Sequence, residues 1–188
     1  MPNIEDSQLS QLICLAAKGD KHAFGRLYEH YLEEIYRFLF YKVGNKMIAE
    51  DLTEDTFLRT WEHLPSIYAK DQNFSNLRAW LYRIANNLAI DYYRKIKPQL
   101  GIDNNIRSNN KSMEKIIEDQ TESQKLVKTI QKLEPRLQKI IILRFINQLS
   151  HQEIASVMKI SPTHSRVLQY RALKKMKNYL QLKDRKDA

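Results

Sequence analysis

The sequence is poor in the residues that punctuate β structure. Its 188 residues include four glycines and five prolines, and no Asn-Gly pair marks a hairpin turn. That argues against a strand-rich fold. A single cysteine, Cys14, rules out an intramolecular disulfide, and its neighbours Leu12, Ile13 and Leu15 predict a buried thiol rather than a reactive one. No run of about 18 apolar residues exists, which excludes a membrane-spanning helix. The start, MPNIEDSQLSQ, is polar and acidic, without the basic opening and apolar core of a secretory signal. These absences together predict a reducing, cytoplasmic setting. The five histidines, at 22, 30, 63, 151 and 164, are scattered and no Cys-x-x-Cys occurs, so neither a metal site nor a cofactor is expected.

What is present has helical spacing. Hydrophobic residues make up 43% of the chain and the mean hydropathy is −0.57, which suits a globular protein. The apolar positions recur every three or four residues, and an all-α fold follows. The net charge is +9, and its location is informative. Residues 136–188 hold 12 Lys and Arg against 3 Asp and Glu, while residues 1–135 hold 19 of each. The whole excess lies in the C-terminal part. A basic module joined to a balanced one predicts a polyanionic partner for the former; a solvated basic tail is the plainer alternative.

Along the chain, Asp6 to Lys18 reads as a short amphipathic helix with Leu9, Leu12, Ile13 and Ala16 on one face. Gly19-Asp20 ends it. A second helix runs from Lys21 to Val43 through Phe24, Leu27, Tyr28, Tyr31, Ile35, Phe38 and Leu39, closed by Gly44-Asn45. A third spans about Met47 to Leu64, where Pro65 is expected to stop it. The stretch PSIYAKDQNFSN then reads as a loop. Ser75 can cap a fourth helix, whose buried stripe is Leu77, Trp80, Leu81, Ile84, Ala85 and Leu88, ending near Lys97-Pro98. Residues 98–112, PQLGIDNNIRSNNKS, lose the apolar pattern and read as a flexible linker. Helical spacing resumes at Met113 and continues to Leu133, and Pro135 opens a further helix. Two small helical domains follow, 1–97 and 113–188, joined by a 98–112 tether.

The stretch LSHQEIASVMKISPTHSRVLQYRALKK, Leu149 to Lys175, is the most specific. Ser150 and Glu153 form a capping box ahead of a short helix that turns Ile154, Ala155, Val157 and Met158 inward. Lys159-Ile160 make the turn. Ser161 caps the next helix, with Pro162 in its first turn where a missing N–H costs nothing. That second helix buries Val167 or Leu168, Ala172 and Met176, and shows His164, Arg166, Tyr170, Arg171 and Lys174 on another side. Two short helices around a tight turn, the second one basic, are the ingredients of a DNA-binding helix-turn-helix. A plain helical hairpin with a solvated basic face is the alternative.

Here the residues resemble a known family. LEPRLQKIIILRFINQLSHQEIASVMKIS, Leu133 to Ser161, resembles region four of bacterial sigma factors, and IAEDLTEDTFLRTWEHL with LRAWLYRIANNLAIDYYRK resembles region two. The order and spacing are similar to those of the extracytoplasmic-function (ECF) group of the sigma-70 family, which keeps these two regions only. The resemblance implies a sigma factor, not an enzyme. It would bind core RNA polymerase, direct it to promoter DNA, and aid strand opening. Region two would dock on the clamp helices of the largest subunit through Glu50, Asp51, Leu52, Glu54 and Asp55. The same region would address the minus-ten element through Arg83, Asn87 and Arg94, with Ile67, Tyr68 and Phe74 of the preceding loop catching extruded bases. Region four would lie on the polymerase flap. It would read the minus-thirty-five element with Arg166, Val167 and Tyr170 toward the bases and His164, Arg171 and Lys174 toward the backbone. Many members carry Thr-Val-Lys-Ser-Arg-Leu where this chain has His164-Ser165-Arg166-Val167-Leu168-Gln169, so Leu168 stands at an expected basic position and promoter preference does not transfer. An anti-sigma partner is typical of the family.

Two other readings compete. A stand-alone helix-turn-helix regulator would bind duplex without polymerase, usually as a dimer; the sequence offers no evident dimer helix and leaves the N-terminal module idle. A nucleic-acid enzyme would need a metal cluster or carboxylate constellation.

Overall fold

The computed structural model describes residues 6–71, 74, 76–99 and 122–184, and every regular element among them is helical. They are α1 (Asp6–Ala17), α2 (Lys21–Val43), α3 (Lys46–Lys70), α4 (Leu77–Gln99), α5 (Glu122–Gln131), α6 (Pro135–Ile141), α7 (His151–Met158) and α8 (Pro162–Asp184). A π-helical turn, Ile142–Ile146, extends α6. The chain forms two compact units. One comprises Met1–Phe40 and Asn45–Ile90; the other comprises Tyr41–Gly44 and Asp91–Ala188. Most of the expected linker, residues 100–112, and the expected helical start at Met113 lie outside the described residues. α4 runs two residues into that linker, to Gln99.

In the first unit α1–α4 share one apolar core. Ile13 of α1, Leu27, Ile35, Phe38 and Leu39 of α2, Leu64 of α3, and Leu77, Leu81 and Tyr82 of α4 are almost wholly buried. Aromatic side chains tie α2 to its neighbours edge to face: Phe24 to Trp61, Tyr28 to Phe57 and Phe38 to Tyr82, with ring centroids 4.7 to 5.2 Å apart. Such pairs add to burial because a ring's positive edge meets its neighbour's negative face. A forked ion pair, Arg78 Nε to Glu34 Oε1 at 2.7 Å and Nη2 to Oε2 at 3.0 Å, joins α4 to α2. α3 also buries three threonines, Thr53, Thr56 and Thr60. Each hydroxyl donates to the carbonyl four residues back, of Ala49, Leu52 and Thr56, at 2.6 to 2.7 Å. No buried donor is left open there.

Two boundaries differ from expectation. α3 does not stop at Pro65; the proline sits inside the helix, which continues to Lys70. Pro65 removes one backbone donor; beyond it Ser66 Oγ bonds the His63 carbonyl at 2.8 Å, and the end is closed by Asp71 N–H to Ile67 O at 3.1 Å. The expected loop from Pro65 therefore begins as helix, and α4 starts at Leu77. The cap of α4 is Asn76, whose Oδ1 accepts the Ala79 N–H at 3.2 Å; Ser75 lies outside the described residues. Cys14 is half-buried rather than buried.

In the second unit α6, α7 and α8 enclose a core of Leu137, Ile140, Ile141, Ile142, Leu143, Leu149, Ile154, Leu168 and Ala172. The π turn widens the helix by one residue: Asn147 N–H reaches Ile142 O at 3.0 Å. The extra residue keeps Ile142 and Leu143 inward and puts Phe145 outward.

Candidate nucleic-acid and polymerase interfaces

α3 has two faces. Buried residues Ala49, Leu52, Thr53, Thr56, Phe57, Thr60 and Leu64 fill one arc. Opposite them Met47, Asp51, Glu54, Asp55 and Leu58 share a stripe at helical spacing, all exposed. Met47 is 72% and Leu58 56% exposed, so each end of the acidic stripe carries a naked apolar side chain. Glu50 lies beside the stripe and pairs with Lys46 at 3.8 Å. Leu52, a sequence candidate, is buried and packs the helix. Met47 and Leu58 were missed because an exposed position is invisible until the buried arc is known.

The last turns of α3 and the middle of α4 border an open groove of about 300 Å3, lined by Arg59, His63, Ser66, Ile67, Trp80, Ile84 and Asn87. Ile67 and Asn87 were sequence candidates, and the fold brings them to one wall each. Phe74 joins indirectly, its ring 5.9 Å from Trp80. Tyr68 is not among the groove-lining residues; the Cys14 thiol of α1 beside its hydroxyl raises its pKa. Arg83 is half-buried with its Nε lacking a hydrogen-bond partner among the described residues. Arg94 is exposed and pairs with Asp91 at 3.3 Å. Arg59 and His63 were not among the sequence candidates. Their signal is the spacing 59, 63, 67 on a helix, which the supposed stop at Pro65 concealed.

The helix-turn-helix forms as the residues predict. Glu153 N–H donates to Ser150 Oγ at 3.2 Å and Ser150 N–H to Glu153 Oε2 at 2.7 Å. Lys159 takes the left-handed conformation, φ 53°, and ends α7. Ser161 Oγ accepts the His164 N–H at 3.1 Å. α8 then buries Ser165, Leu168 and Ala172, one residue per turn, and exposes His164, Arg166, Val167, Tyr170, Arg171 and Lys174. Of the pair Val167 or Leu168, the buried one is Leu168; an arginine there would face the core. Tyr170 is 68% exposed. The His-x-Glu spacing of His151 and Glu153 is not a ligand pair: Glu153 is spent on the cap and His151 on Ser165. Among the described residues no group of three His, Cys, Asp or Glu side chains could hold a metal, and no helix is long and apolar enough to cross a membrane.

Comparison with known proteins gives the family. Residues 27–98 match the family model for sigma-70 region 2 and residues 123–176 match that for sigma-70 region 4. The ECF RNA polymerase sigma factor BldN of Streptomyces coelicolor is 32% identical over 180 residues, covering 94% of this chain and 67% of BldN. The chain belongs to the ECF group of the sigma-70 family. SigW, an ECF sigma factor of Bacillus subtilis, is 33% identical over 155 residues, 76% of this chain and 81% of SigW. The fold is shared with the sigma factor RpoE of Bartonella quintana, solved with the anti-sigma factor NepR, at a TM-score of 0.63 and 20% identity over 84% of this chain and 96% of RpoE. The region 2 match takes in the acidic stripe and the groove; the region 4 match takes in the whole helix-turn-helix.

Proposed function

We propose that this ECF sigma factor binds core RNA polymerase and recognises a two-part promoter, with residues 1–97 serving the polymerase clamp helices and the minus-ten element and residues 113–188 serving the flap and the minus-thirty-five element. The observation that carries the reading is the partition of α8: Leu168 and Ala172 are spent on the core, so Arg166, Val167 and Tyr170 are all free to enter a major groove. His164, Arg171 and Lys174 flank them as phosphate contacts, which position the helix without reading sequence.

The α3 stripe fits a basic partner helix. Its acids give orientation and rate of encounter, and Met47 and Leu58 give apolar area at the ends. The groove suits an unpaired base: Ile67, Ile84 and the Trp80 indole supply an apolar wall, the Asn87 amide can donate and accept, and Arg59 with His63 can meet phosphate. Capturing the base after it leaves the stack offsets the cost of unstacking. The two modules each bind weakly, and the tether raises the effective concentration of the second contact once the first is made. An anti-sigma factor, as seen for RpoE of Bartonella quintana, is the expected antagonist.

The test is run-off transcription from a panel of promoter templates with core polymerase, with and without this protein. Product that depends on the protein is the expected result. If no product forms and the protein alone shifts a specific duplex, the stand-alone regulator is the correct reading instead.

A further inference from the structure

We infer that His151 is a positioning residue for the recognition helix, latching α8 to the start of α7 through the buried hydroxyl of Ser165. The inference rests on the reading of α8 as the promoter-facing helix. Ser165 is fully buried, while its neighbours His164 and Arg166 are exposed. A buried hydroxyl is costly without a partner, and the partner is His151 Nδ1, 2.9 Å away. His151 is the first residue of α7, next to the capping box at Ser150 and Glu153. The ring therefore transmits the rigidity of a doubly capped helix end to the point on α8 from which Arg166 projects.

The charged groups facing the ring are Arg144, from the π turn, and Arg166, from α8; Glu153, on its own helix, is held by the Ser150 N–H. Arg144 is itself fixed, with Nη1 donating to the Leu149 carbonyl at 2.8 Å. Burial, then the two guanidinium groups, hold the ring's pKa below the usual histidine value of 6.5. The latch is therefore neutral and complete at neutral pH. On acidification the unfolded chain takes the proton first, so the stability contributed by the neutral ring is lost as pH falls from the ordinary histidine range toward the lowered folded value. Protonation would set a third cation beside Arg144 and Arg166.

The experiment uses the full chain with core polymerase on paired templates with and without the upstream promoter element, across pH 5.5 to 8. The ratio of the two outputs cancels the pH response of the polymerase itself. For the wild type the ratio is expected to fall on the acid side. His151→Ala should lower it about tenfold at neutral pH. His151→Asn, whose amide can still meet Ser165, should recover most of the neutral-pH ratio and lose the acid step. Adding Ser165→Ala to His151→Ala should cost little more, because the partner is already gone. An unchanged acid step in His151→Asn, or additive losses in the double variant, sinks the latch while leaving the promoter reading intact. A wild-type ratio of one at every pH refutes the promoter reading, and the latch role with it. Circular dichroism of each variant separates either result from simple unfolding.

Discussion

α3 and α8 are helices of similar length, 25 and 23 residues, and each shows one face to solvent. The face on α3 is acidic with apolar ends; the face on α8 is basic with Val167 and Tyr170 among the cations. The difference teaches how each would find its partner. A protein helix offers fixed charges and apolar area, so an acid stripe needs Met47 and Leu58 to be more than a steering field. A DNA groove offers a dense array of phosphates together with base edges, so cations supply affinity and the residues between them supply selection.

The largest effect should come from inverting the α3 face. Asp51→Lys with Glu54→Lys would place like charge against a basic partner, at a cost of several kcal/mol, and should weaken core polymerase binding by about 100-fold or more. A competition assay against a labelled sigma factor reads this directly, and binding of the isolated upstream duplex should not change. Equal loss in both assays would mean the variant is misfolded or the faces are not separate. Next in size, Arg166→Ala should cost about 1–3 kcal/mol of promoter discrimination, against which Lys174→Ala should weaken binding evenly across sequences and reduce the salt slope by about 1. If both variants behaved alike in a salt-titrated binding series, α8 would be a phosphate surface rather than a reader.

The groove distinguishes opening from binding. Asn87→Ala should reduce open-complex formation about tenfold on duplex template, scored by permanganate reactivity, with recovery on a template whose minus-ten bases are already unpaired. Failure of that recovery would assign Asn87 to duplex contact. The smallest effect is expected at the turn. Lys159→Gly removes the Cβ penalty of a left-handed residue and should stabilise the second unit by about 1 kcal/mol in denaturant melts. A loss of stability would show that the lysine side chain holds the turn by contacts of its own.

Local signals were legible in the sequence and assembled features were not. The capping box, the turn, the cap at Ser161 and the bounds of α2 all depend on residues within four positions of one another, and they read correctly. The exposed face of α8 followed from the same local logic, except that Val167 and Leu168 could not be separated until the positions of α6 and α7 fixed which arc was buried. The Pro65 error had wider consequences. A proline breaks a helix when packing does not offset the lost bond, and here Leu64 before it is wholly buried and Ile67 after it lines the groove with Trp80 and Ile84 of α4. Reading a stop at that point moved Ile67 and Tyr68 into a loop and hid Arg59 and His63. The π turn had no local signal at all, since an inserted residue changes the phase of the pattern without changing its composition.

The threonine ladder of α3 has a consequence for how the family can vary. Each hydroxyl is satisfied by its own helix, so the face it presents to the core asks its neighbours for volume and nothing else. Residues packed against Thr53, Thr56 and Thr60 can drift among apolar types of equal size without orphaning a donor. The opposite face, with its acids and naked apolar ends, has no such latitude if its partner is fixed. One helix would thus evolve at two speeds, and an alignment of relatives should show the freer side on the inside.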